Sequence, residues 1–480
     1  MSMLSNDINV ILPELILVGF AMAALMFGVF SKVEKGETVL WATAVVFVGL
    51  GFWIGFAGAG TDTAFDGMFV NDPFARFAKV LMLWSGAAML ILARNFLVAK
   101  DLMKFEFPVL ISLAMVGMMM MVSAGNLMSL YMGLELQSLS LYVIASFNRD
   151  SLRSSEAGLK YFVLGALSSG LLLYGMSLVY GYTGATEFTS ITAVISAEGM
   201  SLGVLFGLVF MSTGLAFKVS AAPFHMWTPD VYEGSPTPVT MFFATAPKVA
   251  AMAMFARVLF DAFGYAIADW QQIIAFLALL SLFVGSIAAI GQRDIKRLMA
   301  YSSIGHMGFA LMGLAAGTLL GVTNMLIYMV IYVVANIGVF AFILNMKRDG
   351  RPVTDIQSLG MLSKRAPGQA LALTLLMFSL MGLPPLVGFF GKMYVLNAAV
   401  QANLAWLAVA GVIASVIAAF YYLRIIYYIW FGDETDAIDG KIPLLHLAFL
   451  SASAGAMVFG MINMFGVEGM ALAAATSLLN

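Results

Sequence analysis

Apolar residues fill long stretches of this chain, and short clusters of Gly, Pro and charged residues separate them. A helix that crosses a hydrocarbon layer needs about 20 mostly apolar residues. On that measure the sequence predicts fourteen segments, numbered as spans 1–14, near 9–30, 38–58, 74–98, 106–122, 127–147, 159–183, 201–225, 236–261, 270–290, 298–315, 320–346, 369–397, 403–430 and 443–466. No soluble domain fits between them. The longest connection, KRDGRPVTDIQSLGMLSKRAPG, leaves room for one short surface helix. The expected fold is all-α and membrane-integral, with about 14 transmembrane helices in a single transmembrane domain over 1–480.

Composition removes the alternatives. The chain is 62% hydrophobic and 10% charged, where a soluble domain carries roughly 25% charged residues. It lacks the polar surface to live in water, so the lipid bilayer is its solvent. A net charge of -2 without a basic block gives no footing for nucleic acid. There is no cysteine, which removes disulfides, Cys-ligated iron–sulfur clusters and Cys-built zinc sites. Three histidines, His225, His306 and His446, are too scattered to suggest haem or a metal. Neither a GxGxxG nor a Walker A pattern is present. The first apolar run lacks a basic region before it, so it reads as a retained helix rather than a signal peptide.

Loop charge sets the expected orientation. The loops after spans 1, 3, 5, 9, 11 and 13 carry Lys and Arg, from Lys32 and Lys35 in the first to Lys441 in the last. Those after spans 4, 6, 10 and 12 carry none, and Arg76, Lys79 and Arg257 are exceptions near span ends on the other side. Both termini are therefore predicted outside, in the periplasm for a bacterial inner membrane.

Subtracting the loops leaves charges inside spans. Glu135 lies in span 5, Lys218 late in span 7, Lys248 near the middle of span 8 and Lys392 in span 12. Arg424 is nearer the end of span 13, where a long stem can snorkel. A charge at a helix centre costs about 2.5–3.5 kcal/mol or more, so such residues rarely persist without partners or a wet path. A structural ion pair accounts for Glu135 with one lysine. Three lysines sharing one deep carboxylate leave at least two without an acidic partner, which points to hydrated or neutral amines.

Prolines accompany these lysines. In LAFKVSAAPFHMW, Pro223 has no N–H, so the carbonyl of Val219 loses its helical partner. In SLMGLPPLVGFFGKM, Pro384 and Pro385 free the carbonyls of Leu380 and Met381. Packing kinks are the plain alternative, but freed groups at membrane depth also mark places where protein or water must satisfy them. Spans 7 and 12 are five apart and cross in opposite directions, so matching breaks point to an inverted repeat. The expected organisation is an N-terminal group over 1–105, a first five-helix repeat over 106–261, a second over 270–430 and a last helix at 443–466. Each repeat contains one proline-broken helix.

These groups suit proton transfer. Apolar surroundings penalise an ammonium relative to an amine, and a carboxylate within about 4–6 Å restores it. Moving Glu135 relative to Lys218 would load or unload that lysine. Shifting one charge across the membrane is worth about 2.3 kcal/mol per 100 mV, which is within reach of such changes. Thr213, Ser220, Ser302, Ser303 and His306 can hold intervening water, although lone hydroxyls usually bond to their own helix. His306, in AYSSIGHMGF, either bridges lysine segments or is a buried histidine held by one hydrogen bond.

Longer motifs carry a family resemblance: YMGLELQSLSLYVIASFNRD, SSEAGLKYFVLGALSSGLLLYGMSLVYG, AFKVSAAPFHMWTPDVYEGSPTPVTMFFATAPKVAAM, RDIKRLMAYSSIGHMGF and GLPPLVGFFGKMYVL. With the opening ILPELILVGF, the chain resembles the antiporter-like membrane subunits of proton-pumping NADH–quinone oxidoreductase, respiratory complex I, over essentially all its length. Within them it is most similar to the subunit N branch, because Lys392 stands where the sister branch M carries glutamate. The resemblance implies a fourteen-helix fold with inverted five-helix repeats, Glu135 paired with Lys218, Lys248 as the central lysine and Lys392 as the terminal one. It also implies that this chain is one subunit of a translocase, with sister antiporter-like and other membrane subunits as partners. NADH, flavin, iron–sulfur clusters and quinone would then belong to partner subunits, with no cofactor in this chain. A subunit of multisubunit sodium/proton antiporters, which also has a proline pair followed by lysine, is the alternative.

Overall fold

The computed structural model describes residues 2–31, 35–58, 60–433, 438–439 and 442–479. Lys32 and Lys441, both used in the loop charge count, lie outside the described residues. Helices dominate, with two short antiparallel hairpins, Asp62–Ala64 with Phe69–Asn71 and Lys347–Arg348 with Arg351–Pro352. Among the described residues, eleven helices are long and apolar enough to cross a membrane, or twelve if Leu444–Phe459 and Asn463–Leu479 count as one span. Two further segments are apolar but short: Glu106–Val122 has 17 residues and Pro367–Met381, cut by the span-12 break, has 15. The chain is a multi-pass α-helical membrane protein.

It forms two compact units. The first comprises Met1–Val219, Ala246–Ile274 and Met470–Asn480. Here Leu152–Thr183 packs along Leu202–Val219, and Glu106–Val122 along Leu127–Ala145. Small residues permit the approach: a Cβ on Gly175 would lie 2.6 Å from the Met211 nitrogen and 2.7 Å from the Gly207 oxygen. Ala246–Arg257 is buried at every residue and touches Pro73–Ala99, Glu106–Val122 and Leu202–Val219. It is the core of this unit and carries Lys248.

The second unit comprises Ser220–Thr245 and Ala275–Gly469. Leu319–Ile343 is its hub, packed against Ile295–Ala315, Pro367–Met381, Val387–Gln401 and Leu444–Phe459.

Both proline segments interrupt their helices. One helix stops at Val219, Ser220 takes a φ of +67°, and helix resumes at Trp227. The other stops at Met381, where Gly382 adopts a φ of +89° and Leu383 N–H donates back to the Phe378 carbonyl at 3.0 Å. That reversal needs glycine. Helix resumes at Val387, and a Cβ on Gly388 would fall 1.8 Å from the Ser379 oxygen, so the new helix starts against the old one's end.

Two more interruptions were not anticipated. Span 8 departs from helix at Thr245 (φ -119°, ψ -95°), just before Pro247 and Lys248. The segment read as one helix over 443–466 ends at Phe459, and residues 463–466 all have positive φ before helix resumes at Val467.

Candidate functional site

Glu135, Lys218 and Lys248 belong to the first unit, and His306 and Lys392 to the second. All four basic side chains are buried, Lys248 most completely at 1% exposure.

Glu135 and Lys218 do not touch. The Glu135 carboxylate accepts from the Ser169 hydroxyl on the neighbouring helix Leu152–Thr183. Lys218 Nζ donates to Ser138 Oγ at 2.6 Å and reaches Tyr142 OH at 3.5 Å. Its ammonium also stands 5.5 Å from the Tyr142 ring centre. Glu135, Ser138 and Tyr142 follow an i, i+3, i+7 spacing, which puts them on one face of Leu127–Ala145. The group in contact with the Lys218 ammonium is therefore Ser138, not Glu135. Ser138 in turn donates to the Leu134 carbonyl at 2.5 Å, which fixes its lone pairs toward the lysine.

Lys248 and Lys392 meet acceptors that loop and span charges alone do not reveal. Lys248 Nζ donates to the Val219 carbonyl at 3.0 Å. Lys392 Nζ donates to the Met381 carbonyl at 2.7 Å and to Ser415 Oγ at 2.9 Å. These are the carbonyls that Pro223 and Pro385 deprive of a helical donor. Each is also the last residue of its helix, where the backbone dipoles leave about half a negative charge. The sequence left these lysines without an acidic partner, and the structure gives each a carbonyl acceptor at a broken helix end. The Lys392 ammonium further lies 4.9 Å from the Phe309 ring centre, and its stem packs on Gly382.

His306 is held at both ring nitrogens, not one. Nδ1 is 2.6 Å from Tyr328 OH and Nε2 is 2.9 Å from Tyr422 OH. Tyr422 OH continues to Ser302 Oγ at 2.6 Å, and Tyr332 donates to Ser303 Oγ at 2.8 Å. Of the other polar residues singled out, Ser220 accepts from Thr228 at 2.7 Å, while Thr213 bonds only to its own helix at Val209. Arg424 does not simply snorkel; it donates to the carbonyls of Ile290 and Gln292 at 2.6 Å. Among the described residues no three His, Asp or Glu side chains converge as metal ligands would.

The sequence profile described as NADH:quinone oxidoreductase/Mrp antiporter, TM, matches residues 124–418. The NADH-quinone oxidoreductase subunit N of Rhodobacter capsulatus is 60% identical over 479 residues, with both chains covered in full. The chain belongs to the subunit N family. A chain of respiratory complex I from Thermus thermophilus with bound aureothin is similar at 31% identity and a TM-score of 0.82, covering 95% of this chain and 98% of that one. A chain of the Mrp complex from Dietzia sp. DQ12-45-1b has a TM-score of 0.83 at 21% identity, covering 98% of this chain and 97% of that one, which is a likeness of fold. The profile shared by the subunit N family and the Mrp antiporters spans every candidate from Glu135 to Lys392 and stops before Tyr422.

Sequence reading missed the hydroxyl partners Ser138, Ser169, Tyr328, Tyr422 and Ser415. Hydroxyl residues are common in helices, and no local pattern separates those that face a lysine from those that bond backward. It also set aside Lys79 and Arg257. Lys79 forms a buried ion pair with Glu14 at 2.7 Å, and Arg257 with Asp72 at 2.7 Å and Asp261 at 3.0 Å. Glu14 and Asp72 lie far in sequence from their partners, which hid those two pairs, whereas Asp261 stands one helical turn from Arg257.

Proposed function

We propose that this chain is the proton-translocating subunit N of a membrane-bound NADH–quinone oxidoreductase, working with sister antiporter-like subunits. Membership of the subunit N family along the whole chain supports the assembly. NADH, flavin, iron–sulfur clusters and quinone belong to the partner subunits, and both termini face the outside. The organisation is two inverted five-helix repeats over 106–261 and 270–430, with Glu135, Lys218, Lys248, His306 and Lys392 as proton carriers and Pro223, Pro384 and Pro385 as the breaks that serve them.

The observation that carries the reading is a lysine seated on the terminal carbonyl of each broken helix. Burying an ammonium costs about 2.5–3.5 kcal/mol or more. A helix C-terminus returns about 0.3–1 kcal/mol, rising to ~2 kcal/mol in buried geometry. Neither form then wins by much, which is the balance a carrier needs. In the first unit the acceptor of Lys248 is the residue after Lys218, so a proton on Lys248 acts directly on the helix end that bears Lys218. Glu135, tied to Ser169, supplies the charge that biases Lys218 from the other side.

Glu135→Gln tests this. It keeps the volume and an oxygen for Ser169 but removes the charge. NADH-driven proton pumping in membranes should fall relative to electron flow, with the complex assembled. An unchanged proton-to-electron ratio would remove Glu135 from the relay. The second reading, a sodium/proton antiporter subunit, draws on shared fold and profile, and it requires sodium-dependent transport.

A further inference from the structure

We infer that Tyr422 and Tyr328 are proton carriers on either side of His306, and that the three move a proton by exchanging tautomers with no charged intermediate left behind. The inference rests on the reading of His306 as a relay residue and adds how it would work.

Ser302, Tyr422, His306 and Tyr328 form an unbroken chain of three hydrogen bonds at 2.6, 2.9 and 2.6 Å. The side chains come from three helices: Ser302 and His306 from Ile295–Ala315, Tyr422 from Ala405–Phe431 and Tyr328 from Leu319–Ile343. Both partners of the buried ring are hydroxyls, which can donate or accept, rather than a carbonyl or carboxylate that would fix one tautomer. A neutral imidazole has one N–H and one bare nitrogen, so one tyrosine must accept from it while the other donates to it. A hydroxyl can do either, so both tautomers fit the same geometry.

The transfer balances. Tyr422 O–H gives its proton to Nε2 and takes the hydroxyl proton of Ser302, which in turn takes the incoming proton from a protonated water at its far side. Nδ1–H passes its proton to the Tyr328 oxygen, which releases its own hydrogen to a water molecule in the small cavity that Tyr328 lines. Each intermediate group gains one proton and loses one, so all end neutral and the imidazole ends in its other tautomer. Rotation of the hydroxyls and reorientation of the imidazole ring, which carries its N–H with it, ready the wire for the next proton. Neutral passage matters here because neither ring nitrogen is bonded to a carboxylate that would steady an imidazolium.

Tyr328 also opens onto a small cavity shared with His306, Tyr332, Ser379 and Leu380, with room for about one water molecule. Ser379 and Leu380 form the last turn of Pro367–Met381, the helix whose terminal carbonyl holds Lys392. The hydroxyl wire therefore ends at the same helix break as the lysine.

The test uses the assembled complex in its membrane and measures NADH-driven proton pumping against quinone-linked turnover. Tyr422→Phe and Tyr328→Phe each delete one oxygen and keep the ring packing. His306→Gln keeps an acceptor and a donor but cannot exchange tautomers as imidazole does. Lys392→Met, run alongside, tests the underlying lysine reading. All three wire variants should lose pumping by about tenfold or more, in the range expected for a lost proton-transfer group. A merely structural histidine would be rescued by glutamine, so pumping retained by His306→Gln or by Tyr422→Phe overturns the wire. If Lys392→Met is then inactive, the lysine reading stands without it; if Lys392→Met also pumps normally, both fall.

Discussion

Buried cations in this protein take acceptors at the ends of helices as well as on acidic side chains. Lys248 sits on Val219 and Lys392 on Met381, and the same arrangement recurs elsewhere. Lys296 donates to the carbonyls of Glu233 and Ser235 at the end of Trp227–Gly234. The buried Arg257 donates to Val122 at the end of Glu106–Val122, and the half-buried Arg424 to Ile290 at the end of Ile267–Ile290. The last turn of a helix leaves carbonyls without donors, and in lipid no water supplies them. Arg257 differs from the lysines because it also binds two carboxylates, and its fixed charge serves structure. Arg257→Ala would strand the Asp72 carboxylate, which is 2% exposed, away from water. Breaking a buried pair costs about 3–5 kcal/mol. The expected result is a marked loss of assembled complex and a lower thermal midpoint, where the lysine variants keep both. Normal heat stability of the Arg257→Ala complex would contradict this division of roles.

At the scale of elements, the broken helices decide where the lysines go. Pro223, Pro384 and Pro385 are visible in the sequence, and so are the carbonyls they free. What the sequence does not carry is which side chain arrives: Lys248 lies 29 residues from Val219, and Lys392 lies 11 residues from Met381. The span-8 interruption at Thr245 shows a further limit, since Pro247 sits at the second position of a new helix and reads equally well as an ordinary helix start. Replacing Pro384 and Pro385 together with Ala tests the role of a break. An N–H at position 385 would compete with Lys392 for the Met381 carbonyl, although Gly382 and Gly388 still favour the reversal. We expect weaker pumping with normal membrane insertion, measured as proton uptake per quinone reduced. Unchanged pumping would mean that the prolines only shape packing.

Across the whole molecule, apolar run lengths were enough to indicate a multi-pass helical membrane protein, because hydrocarbon thickness imposes a ruler on sequence. The exact span count was less legible, since Glu106–Val122 and the halves of broken helices fall short of that ruler. Ion pairs such as Glu14 with Lys79 and Asp72 with Arg257 join residues that only the packed fold brings together. They also explain why Lys79 and Arg257 stand outside the loop charge pattern: each is neutralised in the interior. Lys248 lies at the buried centre of its unit, seated on a freed helix end. A helix cap and a proton carrier make opposite demands there. Arginine preserves the positive cap but does not release its proton at accessible pH, and methionine removes both functions at similar length. The deciding measurement is NADH-driven proton uptake, per quinone reduced, by membranes holding assembled Lys248→Arg complex beside Lys248→Met. The account predicts that both variants lose pumping; near wild-type pumping by Lys248→Arg with loss in Lys248→Met would contradict it and leave Lys248 a structural cap.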